Sequence, residues 1–184
     1  MEHLNEKTLS TESVYEGKII DLEIQEVELP NGNKGKREII RHPGAVAIIA
    51  ITPENKLLFV RQFRKALDKI IVEIPAGKLE KDENPQKCAE RELREETGYE
   101  CEKLEYLTSF YTSPGFADEL IHLFYTDSLK ECKDQQPDED EFLDVMEVTL
   151  EEALELIKDQ QIHDAKTAYA VQYEQLKRKM ENHA

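Results

Sequence analysis

The chain is short of several things, and each shortage removes a class of function. Its 184 residues hold three cysteines, Cys88, Cys101 and Cys132. The count is odd and no pair has metal-binding spacing, which argues for reduced thiols and a cytoplasmic protein. The histidines, His3, His42, His122, His163 and His183, are scattered with no i, i+4 pair, so no zinc site is expected. No apolar run approaches the roughly 18 residues of a membrane-spanning helix. The N-terminal MEHLNEKTLSTES is polar and acidic, unlike a secretory signal. Positive charge is scarce: 24 Lys and Arg stand against 40 Asp and Glu, for a net charge of −16. Phosphate backbones and anionic bilayers attract Lys and Arg surfaces, so neither nucleic acid nor membrane is an expected partner. A phosphate-bearing substrate would need a local arginine cluster or bound cations to overcome that field.

What is present suffices for a folded domain. Hydrophobic residues make 39% of the chain and charged residues 35%, enough for one core under a polar surface. Residues 17–29 alternate in part, Asn31-Gly32 follows, and Arg37–Ile40 returns, which reads as a β-hairpin. Ala45–Thr52 is a nearly continuous apolar run, as in a strand buried on both faces. Pro53-Glu54-Asn55 turns it into a second strand over Lys56–Phe63, and Ile70–Ile74 is a third. A helix over Pro85–Thr97 has clear punctuation, with Asn84 as N-cap, Pro85 in the first turn and Gly98 just past the end. Strands are expected near Leu104–Thr112, Leu120–Thr126 and Asp144–Val148. Thr149-Leu150-Glu151-Glu152 is a capping box opening a helix to about Lys158, and Asp164 caps a last helix to about Met180. The pattern predicts the α/β (α+β) class: a mixed β-sheet between helices over residues 43–184, preceded by a small antiparallel β module over residues 1–42.

The helix at Pro85–Thr97 carries the chemistry. At about 100° per residue, Cys88, Ala89 and Leu93 define its least polar face. Glu92 and Glu96 fall between them and Glu95 lies at the edge, so three carboxylates share the face that turns inward. Two carboxylates about 6 Å apart repel by roughly 3 kcal/mol at an effective dielectric of about 20. Either their pKa values rise or a cation sits among them. Hard divalent cations prefer oxygen ligands, and Mg2+ is typically held by a few carboxylates plus substrate phosphate. The competing reading is a solvated acidic helix with pairs such as Arg91–Glu95.

The flanks decide between them. Gly77, Glu83, Arg91, Glu92, Leu93, Glu95, Glu96 and Gly98 fit the pattern G-x5-E-x7-R-E-U-x-E-E-x-G-U, where U is a bulky aliphatic. Tyr99 at the final U is the one departure. At about one chance in fifteen per fixed position, seven matches arise by accident in about one window in 10^8. The abundance of Glu raises that by about two orders of magnitude. The segment resembles the box of the Nudix hydrolases, and the flanking strands resemble their fold. The resemblance implies that Glu92, Glu95 and Glu96, with the Ala76 carbonyl, hold two or three Mg2+ or Mn2+ ions. It implies that Arg91 orients a carboxylate, that Gly77 and Gly98 permit turns, and that Glu83 steadies the helix start. Metal-bridged diphosphate is then attacked in line by a water whose proton a carboxylate accepts.

Three further features resemble the ADP-ribose pyrophosphatase branch. Ser113-Pro114-Gly115 sets Pro114 and Gly115 16 residues and 17 residues beyond Gly98. Gln136–Glu141 is an acidic loop of the kind that supplies the base in that branch, with Glu139 favoured as base and Glu141 as an added ligand. Val60–Arg64 and Val72–Gly77 match the stretches where an arginine meets phosphate and a glutamate helps hold the nucleoside, which implicates Arg64 and Glu73. Relatives in this branch are often homodimers that exchange N-terminal strands, so Arg37 or Arg41 could reach phosphate or ribose in a partner's site. ADP-ribose is therefore the expected small-molecule substrate. Other Nudix substrates, such as GDP-mannose, a dinucleoside polyphosphate or an oxidised nucleotide, stay open. A non-catalytic nucleotide sensor is disfavoured by the complete box and the acidic charge.

Overall fold

A computed structural model describes residues 2–132 and 142–182. The chain divides into two compact units, residues 1–44 with 109–121 and residues 45–108 with 122–184. The first unit is built on three antiparallel strands, β1 (Lys7–Glu16), β2 (Asp21–Glu28) and β3 (Lys34–Arg41), in that order. The β2–β3 hairpin closes as expected at Asn31-Gly32, with Gly32 at φ 83° and the Asn31 side chain accepting from the Asn33 amide at 3.0 Å. Its register runs from Asp21 opposite Arg41 to Glu28 opposite Lys34.

Strand β1 was not expected from the sequence. KTLSTESVYE has no clean apolar alternation, and all ten of its residues are exposed. One edge of its backbone pairs antiparallel with β2, with register shifts at Thr8/Ser10 and Ser13/Tyr15. Pairing with a neighbour, not burial, makes this segment a strand.

The second unit contains the core. Strand β4 (Ala45–Ala50) is buried at every position. One sheet runs β7-β4-β10-β9, with β7 at Ala76–Lys78, β9 at Glu105–Tyr111 and β10 at Leu120–Thr126; the far ends of β9 and β10 belong to the first unit. A second sheet is β12-β5-β6, formed by Leu143–Val148, Leu57–Arg64 and Lys69–Glu73. A short pair joins β8 (Tyr99–Cys101) to β11 (Leu129–Glu131). The strands of this unit form several sheets, and β7, β8 and β11, each three residues long, gave no periodic signal.

Three helices complete the unit: α1 (Pro85–Thr97), α2 (Leu150–Lys158) and α3 (Ala165–Glu181). The Thr149–Glu152 capping box opens α2, and the Asp164 side chain accepts from the Thr167 amide to open α3. The apolar face of α1, Cys88, Ala89 and Leu93, packs on Val46, Ile48, Ala50, Leu58, Phe124 and Leu129. Burying one such side chain stabilises the fold by about 1.5–3 kcal/mol, so this face sets the rotation of α1 about its axis. No described helix is long and apolar enough to cross a membrane.

Candidate active site on the acidic helix

Helix α1 is held at both ends. The Asn84 carbonyl oxygen of the side chain accepts from the amides of Gln86 at 3.0 Å and Lys87 at 3.3 Å. At the other end Gly98 adopts φ 71° and its amide donates to the Arg94 carbonyl at 2.9 Å. With Cys88, Ala89 and Leu93 turned into the core, Glu96 is carried inward and is 2% exposed. Glu92 and Glu95 sit at the margin, with side chains 12% and 30% exposed. The acidic stripe lies where the helical spacing predicts.

Arg91 organises it. Its Nη1 donates to Glu92 Oε1 and to Glu95 Oε2, both at 2.9 Å. Its Nε and Nη2 donate to the two oxygens of Glu83, each at 3.2 Å. Glu83 Oε2 also accepts from the Glu80 amide at 3.0 Å, which closes the turn before the helix. The hydrogen bond from Arg91 holds the Glu83 carboxyl below its ordinary value, and the same pair raises the guanidinium of Arg91. Glu96 follows a separate path: its Oε2 accepts from the Ala76 amide at 3.0 Å, tying α1 to β7.

Gly77 has a reason beyond turning the chain. It lies in β7 opposite Val46 without a left-handed φ. A Cβ placed there would stand 1.8 Å from Glu92 Cδ and 2.0 Å from Glu92 Oε1. Only glycine lets the Glu92 carboxylate lie against this backbone, so close approach, not the expected turn, is what Gly77 provides.

No three of the described Asp, Glu, His and Cys side chains converge as a metal-ligand group. Arg91 stands between Glu92 and Glu95, while Glu96 turns to the Ala76 amide. The residues nonetheless suit a divalent cation. Three carboxylates, Glu83, Glu92 and Glu95, share one guanidinium, which leaves two negative charges in excess, and Glu96 adds a third. The donors are hard oxygens, and the glycine cradle leaves room for one of them against the backbone. Cys88 is no rival nucleophile. Burial first, then the neighbouring Glu83, pushes its thiol up to about 12, and it donates to the Lys78 carbonyl at 3.4 Å.

The other expected site residues separate into clusters. Arg64 Nε donates to Glu73 Oε2 at 2.7 Å, and Lys166 Nζ donates to Glu73 Oε1 at 2.6 Å. Glu73 is 3% exposed, and its carboxylate serves two cations. Arg37 pairs with Glu6. Arg41 donates to Asp118 at 2.9 Å and Glu23 at 3.2 Å, within its own chain. Pro114 and Gly115 lie in the turn where Phe116 and Ala117 amides donate to the Ser113 carbonyl at 3.1 and 2.9 Å. Nothing lies within 4 Å of a Cβ built on Gly115, so crowding does not demand glycine there. Glu139 and Glu141 lie outside the described residues. Sequence reasoning passed over Lys166 and Asp118, the partners of Glu73 and Arg41; each is a lone charge until the fold brings its partner near.

Similarity to known proteins agrees with this geometry. The model of the NUDIX domain family matches residues 41–170, and that of the nucleoside diphosphate sugar hydrolase N-terminal domain matches residues 6–40. An ADP-ribose pyrophosphatase of Bacillus subtilis (strain 168) is 57% identical over 178 residues, covering 96% of each chain. A Bacillus methanolicus protein named methanol dehydrogenase activator is 59% identical over 172 residues, 93% of each chain. A crystal structure of an ADP compounds hydrolase superposes with a TM-score of 0.79 over 91% of this chain and 90% of that one; at 20% identity this is a likeness of fold.

Proposed function

The chain belongs to the NUDIX domain family, and from that premise we propose that it hydrolyses the pyrophosphate bond of ADP-ribose, giving AMP and ribose 5-phosphate. The observation that carries this reading is the complete box from β7 through α1 to Gly98, with Glu96 buried against the Ala76 amide and Glu92 seated on Gly77. The relationship to the Bacillus subtilis ADP-ribose pyrophosphatase supports the substrate.

Members of the family use divalent metal ions. In this chain Glu92, Glu95, Glu96 and the Ala76 carbonyl would hold them, two or three Mg2+ or Mn2+ per site. Bound there, such ions supply charge neutralisation on the diphosphate and a water of lowered pKa. Arg91 keeps Glu92 and Glu95 in fixed orientations and offsets part of their mutual repulsion. The Ala76 amide does the same for Glu96. Arg64 contributes a guanidinium suited to a phosphate oxygen. Glu139 is assigned the acceptor of the water's proton and Glu141 an additional ligand, by resemblance alone. Three free thiols fit a reducing, cytoplasmic setting.

The protein acts as a homodimer in this reading. Strand β1 is exposed along its whole length, and Leu9, Val14, Tyr15 and Ile19 are 40%, 50%, 57% and 49% exposed. An uncovered strand with apolar side chains favours a second copy. Arg37 would contribute to the partner's site by leaving Glu6, and Arg41 through Nη2, since its Nε and Nη1 are held by Glu23 and Asp118.

Purified protein with Mg2+ and ADP-ribose should release AMP and ribose 5-phosphate; no turnover with Mg2+ or Mn2+ would sink the substrate assignment. A panel including GDP-mannose tests the neighbouring reading, which the match to a nucleoside diphosphate sugar hydrolase N-terminal domain supports. Glu96→Gln should lose turnover by about 100-fold or more while keeping its fold. Comparing Glu139→Gln with Glu141→Gln separates base from ligand. A sedimentation mass of one chain at micromolar concentration would remove the dimer.

A further inference from the structure

We infer that Lys166, on the first turn of α3, is a positioning residue for substrate binding: through Glu73 it holds the Arg64 guanidinium with its two Nη groups presented to the diphosphate. The identity of that anion rests on the proposed hydrolysis of a nucleoside diphosphate compound. The arrangement itself is read from side chains within one compact unit.

Glu73 is the centre of it. Its side chain is 4% exposed, a costly place for a carboxylate unless cations satisfy it. Lys166 Nζ occupies Oε1 at 2.6 Å and Arg64 Nε occupies Oε2 at 2.7 Å. With one oxygen held from α3, the other is fixed facing the end of β5. Lys166 is itself confined. Its side chain is 11% exposed, and Nζ also donates to Asp164 Oδ1 at 3.0 Å, the atom that caps α3. Next to it, Thr167 Oγ1 accepts from the Ile74 amide at 3.0 Å, fastening α3 to the residue after Glu73.

Arg64 differs from its partners. Its side chain is 41% exposed, against 4% and 11% for Glu73 and Lys166. Only Nε is engaged with another described residue; neither Nη donates to one. A pair built for stability alone would bury both ends and use the whole fork. A guanidinium gripped at Nε keeps its paired N–H groups for a planar oxyanion, and losing little side-chain entropy on binding favours affinity. In a chain of net charge −16 such a fixed cation has local value that the overall field opposes.

The test is coupling between Lys166 and Arg64, read by calorimetric titration of ADP in Mg2+ buffer. Arg64→Ala should weaken ADP binding by about tenfold, the loss of one charge-assisted contact. Lys166→Met should weaken it by about fivefold, and Lys166→Arg should restore it to within about twofold of the parent. In the Arg64→Ala background, Lys166→Met should change affinity by less than about twofold, because its effect passes through Arg64. With ADP-ribose, KM should rise while kcat moves by less than about twofold. Circular dichroism checks folding, and Lys166→Gln, which keeps an N–H donor group but loses the charge, replaces Lys166→Met if that variant fails to fold. Equal losses in both backgrounds, unchanged affinity on altering Lys166, or no ADP binding by the parent protein would each overturn the inference. Turnover of ADP-ribose by the parent is scored separately: coupling without turnover removes the substrate assignment alone, and turnover without coupling removes this inference alone.

Discussion

Strands β4 and β1 use the same backbone geometry under opposite conditions. All six residues of β4 are buried, and all ten of β1 are exposed. Strand β4 reads as a strand from its side chains, because an apolar run can persist only where both faces are covered. Strand β1 exists because β2 offers a row of hydrogen-bonding partners. The difference teaches that the catalytic unit carries its own core, whereas the N-terminal strands gain order from pairing and leave Val14 and Tyr15 for something else to cover.

That contrast can be broken in four ways, of decreasing size. Leu93→Ala empties a fully buried position under α1. It should cost about 2–5 kcal/mol in urea unfolding; a loss below about 1 kcal/mol would mean that the core under α1 is less closely packed than described. Gly77→Ala drives a methyl into the Glu92 carboxylate. Turnover should fall by about 100-fold, about 2.7 kcal/mol in the barrier, with the circular dichroism spectrum kept. Full activity would show that Glu92 can move freely.

The third uses acid. Each unit holds a carboxyl below its ordinary value. The Arg91 guanidinium does this to Glu83, against an ordinary 4.5. Burial pushes Asp118 up, but Arg41 and the His42 amide outweigh it, against an ordinary 3.8. A depressed carboxyl stabilises the fold fully above its ordinary value and loses that contribution as pH falls through the depressed one. Glu83→Gln and Asp118→Asn should therefore be destabilised at pH 7, each converging on the parent protein as the pH falls below those ordinary values. The Glu83 change should be the larger, since its side chain is 17% exposed against 40% for Asp118. Unfolding in chelator from neutral to acid pH checks it; a gap that widens in acid would reverse the sign. The smallest effect is expected on β1. Val14→Ser should alter unfolding by less than about 0.5 kcal/mol at dilutions where the mass is one chain. If a second copy covers β1, the same change should raise the dimer dissociation constant.

How much was legible before the fold was known follows from how each signal arises. The Pro85–Thr97 helix, its caps and the inward turn of Glu96 were readable, because capping and 3.6-residue periodicity are local. So were β4, the Asn31-Gly32 turn and the Thr149–Glu152 capping box. Strand β1 and the three-residue strands β7, β8 and β11 were not, since a strand defined by its neighbour carries no period of its own. Glu73 was readable as a charge near a strand end, yet its burial between Arg64 and Lys166 joins residues 93 positions apart in the chain.

The sequence by itself determined which carboxylates share one helical stripe and which glycines bound it. Tertiary structure alone decided which groups hold those side chains in place. It put the Ala76 amide on Glu96, laid the Glu92 carboxylate against the Gly77 backbone, and brought Lys166 to Glu73. The physical reason is range. Helical phase is set within a few residues, whereas the partner of a buried charge is chosen by whichever distant element the packing delivers.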